Sequence, residues 1–159
     1  CISRLRIWQI KSNRIGDRNM KLAFYKGIAD GIDGIYSVGV RWWTRSEYSH
    51  CEFIFSDGLS GSASFMDGGV RLKEIYYNPE KWDIIEIDID EQQVRSKFKE
   101  QLGKGYDILG NFGFIAGPFD NDKNKWFCSE IMAHCLDIDR SELYYPGILR
   151  SAIKFKYGK

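Results

Sequence analysis

The stretch SHCEFIFSDGLSGSASF, residues 49–65, decides the fold. Its first part, Ser49–Phe55, alternates residue types with the period of two that is typical of a β-strand. Ser56–Asp57–Gly58 then supplies the small and polar residues of a tight turn, and Leu59–Phe65 returns as a second strand. The sequence therefore predicts an antiparallel hairpin at this point of the chain.

More strands are predicted on both sides of the hairpin. Their expected bounds are Lys21–Lys26, Val70–Ile75 and Asp83–Ile89. The first of them places Leu22 and Phe24 on one face. Asp67–Gly68–Gly69 is predicted to turn the chain between the hairpin and the strand that follows it. These strands together indicate a small antiparallel sheet built as a meander.

Helical patterns follow the strands. Asp90 suits an N-cap, the apolar stripe Val94, Phe98 and Leu102 repeats every four residues, and Gly103 suits the stop. Further helices are predicted over Tyr106–Phe114, over Trp126–Leu136 and from Tyr145–Pro146–Gly147 onward. Because strands come first and helices later, we expect an α+β fold.

Composition restricts the classes of function. A chain of 159 residues favours one domain, placed here at residues 20–159, with residues 1–19 as an N-terminal extension. Lys and Arg (23) nearly balance Asp and Glu (22), which argues against a nucleic-acid binder. No apolar run reaches the ~20 residues of a membrane helix, and no signal peptide is visible. Four cysteines are too few for a disulfide scaffold, which favours a reducing, cytoplasmic setting without fixing the location.

Cys128 is the best candidate for a nucleophile. It lies at the predicted start of a helix, where the helix dipole and the unpaired N–H groups favour a thiolate. The same N–H groups suit an oxyanion. Cys135, two turns further along the helix, and Cys51, which alternates with Phe53, are expected to be packing residues.

A thiol nucleophile needs a base, and the chain has two histidines. His134 is six residues after Cys128, about 240° around a helix, so it is expected at the surface. His50 begins a predicted strand and is the expected base. Ser62 and Ser64 share its face in the hairpin and are the candidates to orient the imidazole, with the absence of a third group as the alternative. Glu52 is also on that face, one step along the strand.

The pair of motifs Ser49–His50–Cys51–Glu52 and Phe127–Cys128–Ser129–Glu130 resembles the permuted branch of the NlpC-like papain superfamily. Relatives in that branch include YiiX-like proteins and the lecithin retinol acyltransferase group. The resemblance extends over about residues 20–153 and includes the order of the motifs, with histidine before cysteine. It implies a circularly permuted papain-like fold, in which an antiparallel sheet packs against helices.

The resemblance also implies roles. Cys128 would be the nucleophile, His50 the base and Ser62 the third polar residue, where many relatives have His, Glu, Asn or Gln. Ser64, Tyr106 and Ser49 are expected along a substrate cleft. The implied activity is hydrolysis or acyl transfer at an amide, ester or thioester carbonyl, on a peptide, isopeptide or acyl-lipid substrate, without a cofactor.

Two other hypotheses remain at this point. A papain-like domain without activity would serve as a binding or structural module in a larger assembly, such as a virus particle. A zinc site would draw on Cys128, Cys135, Cys51 and the two histidines, but the chain lacks a CxxC or HxxxH pair. We therefore expect no metal.

Overall fold

The computed structural model describes residues 19–27, 38, 41, 42, 45–106 and 125–157. The strands are β1 (Asn19–Tyr25), β2 (His50–Ile54), β3 (Leu59–Ser64), β4 (Gly69–Glu74), β5 (Trp82–Asp88), β6 (Gly105–Tyr106) and β7 (Lys125–Trp126). The helices with defined bounds in these ranges are α1 (Glu91–Lys99), α2 (Cys128–Cys135) and α3 (Pro146–Tyr157), and a 3-10 helix spans Ser141–Leu143. The predicted α+β class is confirmed.

The hairpin at residues 49–65 forms as its sequence predicts. Strands β2 and β3 pair antiparallel, with Phe53 opposite Gly61 and Ile54 opposite Ser60. The turn closes through a hydrogen bond from the Gly58 amide to the Phe55 carbonyl oxygen at 3.0 Å. Gly58 has a φ of 87°, a conformation that glycine adopts without strain.

The order of the strands differs from a simple meander. The sheet runs β5-β1-β2-β3-β4-β6-β7, so β5 pairs with β1 instead of following β4. Only the β6–β7 pair is parallel among these neighbours. Three successive side chains of β1, Leu22, Ala23 and Phe24, are fully buried, as expected for a central strand. Alternation predicts strands β1 to β5 but carries no information on which neighbour each takes. The predicted meander holds from β1 through β4, and β5 departs from it.

The core lies between the sheet and the helix that packs on it. Helix α2 packs on β2 and β3, and it also contacts α1 and α3. Its buried side chains Ile131 and Met132 belong to the same core cluster as Phe53 and Phe98, whose rings lie 5.7 Å apart. The core therefore fixes the start of α2 relative to β2, which is the relationship on which the site depends.

The predicted helix after Asp90 is confirmed, but it is shorter than its apolar stripe. The Asp90 carboxylate accepts a hydrogen bond from the Gln92 amide at 2.9 Å, and Gly103 has a φ of 80°. Helix α1 ends at Lys99, so Leu102 lies in the turn that follows and is 41% exposed. Leu102 fits the four-residue spacing of the stripe, but the helical backbone ends before it.

Two further helix predictions need correction or a restricted reading. Tyr106 belongs to strand β6 instead of starting a helix, because its backbone pairs with β7; the rest of that prediction, 107–114, lies outside the described residues. Trp126 likewise belongs to β7, and α2 begins two residues later at Cys128. The helix predicted from Pro146 is confirmed and runs to Tyr157. Residues 1–18 lie outside the described residues.

Candidate active site

Cys128 is the first residue of α2 and is 1% exposed. The residue that caps this helix is Phe127, whose side chain contains no oxygen or nitrogen and so cannot accept from the first-turn amides. The Phe127 amide itself donates to the Glu130 carboxylate at 3.3 Å, and the Ser129 hydroxyl donates to the Tyr144 carbonyl oxygen at 2.6 Å. These two bonds hold the first turn of α2 in place around the Cys128 sulfur.

His50 is the first residue of β2, and its imidazole lies within hydrogen-bonding range of the Cys128 sulfur. Burial by itself would lower the pKa of His50. The charge and hydrogen bond of Cys128, together with Glu52, outweigh burial and raise that pKa to about 10. The histidine is therefore held as an imidazolium beside the sulfur at neutral pH.

The Cys128 thiol responds in the opposite direction. Burial would raise its pKa, but a hydrogen bond from the Cys51 thiol and the charge and hydrogen bond of His50 lower it to about 5. A further hydrogen bond comes from the Cys51 backbone. Both shifts describe one thiolate–imidazolium pair, in which each partner stabilises the charge of the other; the sulfur is buried and the imidazole is 24% exposed.

Glu52 occupies the other side of the imidazole. Its Oε1 atom lies 2.7 Å from Nε2 of His50, and its side chain is 1% exposed. The two residues are separated by one position on the same strand, so alternation places them on one face of the sheet. An imidazole held at Nε2 by a carboxylate presents its other nitrogen to the thiol, which is the arrangement of a nucleophile, a base and an orienting group.

The charge of Glu52 is itself supported. Arg71 on β4 donates from Nη1 to Oε2 at 2.7 Å and from Nη2 to Oε1 at 2.5 Å, a two-pronged contact that Lys could not make. Arg71 also donates from Nε to Asp67 at 2.7 Å. Burial would raise the pKa of Glu52, but the hydrogen bonds from Arg71 and His50 lower it overall. The carboxylate is therefore ionised although it is buried.

The structure gives Ser62 a different contact from the one expected. Its hydroxyl donates to the Cys51 carbonyl oxygen at 2.7 Å and is not bonded to His50. The prediction that Ser62 orients His50 is corrected to Glu52, because a carboxylate two residues along the strand reaches Nε2. Alternation carried the signal for Glu52, an acidic residue on the histidine's own face.

Of the three other residues expected at the cleft, Tyr106 has a contact that places it beside Cys128. Tyr106 lies next to the site, since its ring centroid is 5.7 Å from that of Phe127, the residue before Cys128. Ser49 is 5% exposed, and its hydroxyl has no hydrogen-bond partner among the described residues. Ser64 ends β3 opposite Gly69 and is half-buried, with no hydrogen bond to His50 in the described part of the chain.

Trp82 was not anticipated from the sequence. It begins β5, and its ring centroid lies 6.3 Å from that of His50 in an edge-on arrangement. Its ring also contacts Tyr25 and Tyr77 at 4.9 and 5.0 Å. Aromatic rings beside the imidazole shield part of it from water, which strengthens the charge interactions of the site. No local motif in the sequence indicates this contact, because it depends on β5 lying beside β1.

The remaining thiol and imidazole lie elsewhere. His134 is exposed, as expected, and its ring lies 5.0 Å from that of Trp126 in a tilted arrangement. Cys135 is 1% exposed, and burial raises its pKa to about 12. Cys51 is buried in the core as expected, but it also contacts Cys128. Within the described residues, no group of three or more His, Cys, Asp or Glu side chains could hold a metal ion.

No protein-family model matches this chain, and no curated protein matches it either. Among the described residues, no helix combines the length and the apolar character that crossing a membrane requires.

Proposed function

We propose that this protein is a cysteine hydrolase or acyltransferase that acts on an amide, ester or thioester carbonyl. The observation that carries the proposal is the position of the His50 imidazole, which interacts with Cys128 on one side and with the ionised Glu52 on the other. Buried charges of this kind are costly to a fold unless they are paired, and they concentrate at functional sites.

The proposed reaction has two stages. The Cys128 thiolate attacks the carbonyl carbon, and the N–H groups at the start of α2 stabilise the oxyanion. The imidazolium of His50 protonates the leaving amine, alcohol or thiol, which leaves a thioester on Cys128. Neutral His50 then removes a proton from water or from a second acceptor, whose attack on the thioester carbonyl releases the acyl group and restores the thiolate. Glu52 keeps the imidazole oriented throughout.

The permuted NlpC-like papain fold is part of the same proposal. The histidine strand precedes the cysteine helix in the chain, and the helix packs on the antiparallel strands β2 and β3. Peptides, isopeptides and acyl lipids remain the substrate classes that suit the chemistry. The alternative is a papain-like domain that binds a partner without turnover, and an ordinary, unreactive Cys128 would favour it.

The test is capture of the acyl-enzyme. The full chain is mixed with p-nitrophenyl esters of graded acyl length and with peptide amides, and adducts are located by mass spectrometry of acid-quenched peptides. We expect an acyl group on Cys128 and steady release of product. His50→Ala should lower the turnover rate at least about 10²-fold, the typical effect of losing a general base. Cys135→Ala is the matched control, since it removes a buried thiol from the same helix and should retain turnover. Undiminished turnover by Cys128→Ala would overturn the proposal.

A further inference from the structure

Cys51 is a second thiol at the nucleophile, and the proposed reaction does not use it as a reacting group. It is fully buried on β2, and its side chain and its backbone both make hydrogen bonds with Cys128. Its neighbour across the β1–β2 ladder is Phe24, so the thiol lies in an apolar layer with Cys128 as its polar contact. The proposed reaction therefore leaves a second buried thiol beside Cys128 without a role.

We propose that Cys51 is a resolving thiol, and that a hydroperoxide converts Cys51 and Cys128 into a reversible disulfide. The side chains of Cys51 and Cys128 interact directly, and a disulfide requires that the two sulfur atoms approach to roughly 2.05 Å. Cys51 lies on strand β2 and Cys128 at the start of the helix packed on that strand, so the two sulfur atoms can approach without a change in secondary structure.

The chemistry balances in two steps. The Cys128 thiolate attacks the peroxide oxygen, and with one proton the products are a Cys128 sulfenic acid and an alcohol, or water when the oxidant is hydrogen peroxide. The Cys51 sulfur then attacks the sulfenic sulfur; the S–S bond forms, the S–O bond breaks, and the Cys51 proton leaves with the hydroxyl group as water. Two electrons pass from the two thiols to the peroxide, and a dithiol returns them.

The two thiols are suited to opposite parts in this sequence. Cys128 is held as the thiolate, the form that reacts with peroxide. Burial and the neighbouring Cys128 and Glu52 charges raise the pKa of Cys51, so it stays a thiol until the sulfenic acid is formed beside it. Any path that brings an acyl substrate to Cys128 also admits hydrogen peroxide, which is smaller.

The Cys51–Cys128 disulfide would inactivate the nucleophile and also protect it from irreversible oxidation. A sulfenic acid with no nearby thiol proceeds to sulfinic acid, which dithiothreitol does not reduce, whereas a disulfide is reducible. Transient disulfides of this kind are compatible with a reducing compartment. The loss and recovery of turnover rests on the proposed function, but formation of the disulfide does not.

The experiment uses the full chain with Cys1→Ser, so that the remaining thiols are Cys51, Cys128 and Cys135. The protein is treated with increasing hydrogen peroxide at pH 7, free thiols are blocked with N-ethylmaleimide, and unreduced peptides are mapped by mass spectrometry. We expect one cross-linked peptide pair that joins Cys51 to Cys128 and is released by dithiothreitol. Turnover, where it is present, should disappear and return with the same reagent.

Cys51→Ala and Cys135→Ala complete the design. In Cys51→Ala, peroxide should drive Cys128 to sulfinic acid and the loss should be permanent, while Cys135→Ala should behave like the parent chain. The parent chain alone decides the matter if Cys51→Ala fails to fold. Sulfinic Cys128 beside a free Cys51, a bridge to Cys135, or two unreacted thiols would each overturn the inference. A disulfide without turnover of any acyl substrate would leave it standing and remove the proposed function instead.

Discussion

The Nε2 atom of His50 lies 2.7 Å from Oε1 of Glu52, a residue on the same strand and the same face of the sheet. Both partners of this contact therefore come from one five-residue strand, β2, and no loop has to close to bring them together. Arg71, from the second strand along in the sheet, then fixes the carboxylate from the other side. The orientation of the imidazole is thus built into regular sheet geometry.

Glu52→Gln should weaken the activation of Cys128, because the amide keeps the shape of the carboxylate but removes its charge from Nε2 of His50. We expect the pH midpoint for iodoacetamide labelling of Cys128 to rise and the labelling rate at pH 6 to fall. Ser62→Ala is the matched control: it removes a buried hydroxyl bonded to the Cys51 carbonyl and should leave the midpoint unchanged. The reverse result, a shift in Ser62→Ala only, would restore Ser62 as the orienting residue.

The parent chain should show a labelling profile set by the ion pair. Iodoacetamide reacts with the thiolate, so the rate for Cys128 should rise with pH through about 5 and then stay level across neutral pH. Cys135, whose pKa burial raises to about 12, should remain unlabelled over the same range. His50→Ala removes the imidazolium and should move the Cys128 inflection upward. A parent inflection near pH 8–9, where an ordinary cysteine titrates, would contradict the ion pair.

Arg71→Met should destabilise the fold, because it leaves the buried Glu52 charge without its two strongest hydrogen bonds. Removing one partner of a buried ion pair typically costs about 3–5 kcal/mol in the free energy of unfolding. Lys73→Met, on the same strand, breaks a contact with Asp67 at a 45% exposed side chain and should cost less than about 1 kcal/mol. Urea denaturation at pH 7 measures both changes. Equal losses of unfolding free energy would show that the Arg71–Glu52 contact stabilises the fold no more than an exposed ion pair does.

Asp83 joins three elements near the same end of the sheet. Its carboxylate accepts from Lys26 at 2.6 Å, from Arg150 of α3 at 3.2 Å and from the Tyr48 hydroxyl. Asp83→Asn should lower the free energy of unfolding by roughly 1–3 kcal/mol, the range for hydrogen bonds to charged groups.

Glu86→Gln is the control for that change, since it lies on the same strand and loses one exposed ion pair, with Lys21. Its unfolding free energy should change by less than about 0.5 kcal/mol. If the Asp83→Asn and Glu86→Gln transitions in urea coincide, the Asp83 cluster does not hold α3 to the sheet.

Gly69 and Gly58 separate two effects of an added side chain. Both have positive φ, 149° and 87°, so alanine is strained at either position. A Cβ at Gly69 would lie 2.0 Å from the Lys104 carbonyl oxygen, whereas nothing lies within 4 Å of one at Gly58. Gly58→Ala should cost about 1–2 kcal/mol and Gly69→Ala distinctly more, as measured by thermal or urea unfolding. Similar losses would mean that β4 and β6 separate easily at Gly69.

Much of the site could be read from local pattern, because its parts depend on neighbours in the chain. The spacing of His50 and Glu52 on one strand and the position of Cys128 at the start of a helix are both local features. The local sequence does not show which of Ser62, Ser64 and Glu52 contacts His50. All three share a face of the sheet, and only the reach of each side chain distinguishes them. Trp82 and Arg71 were missed for a related reason: strand order and cross-strand contact bring them to the site.

The sequence by itself determined the α+β class, the hairpin at residues 49–65, the N-cap of α1, the start of α3 and the two residues expected to react. Alternation, turn chemistry and capping act over a few residues, so each leaves a trace in the local sequence. The tertiary structure decided that β5 pairs with β1, that Glu52 holds His50 and that Cys51 meets Cys128. These contacts join segments that are distant in the chain or choose among equivalent local candidates, and burial in one shared core fixes them.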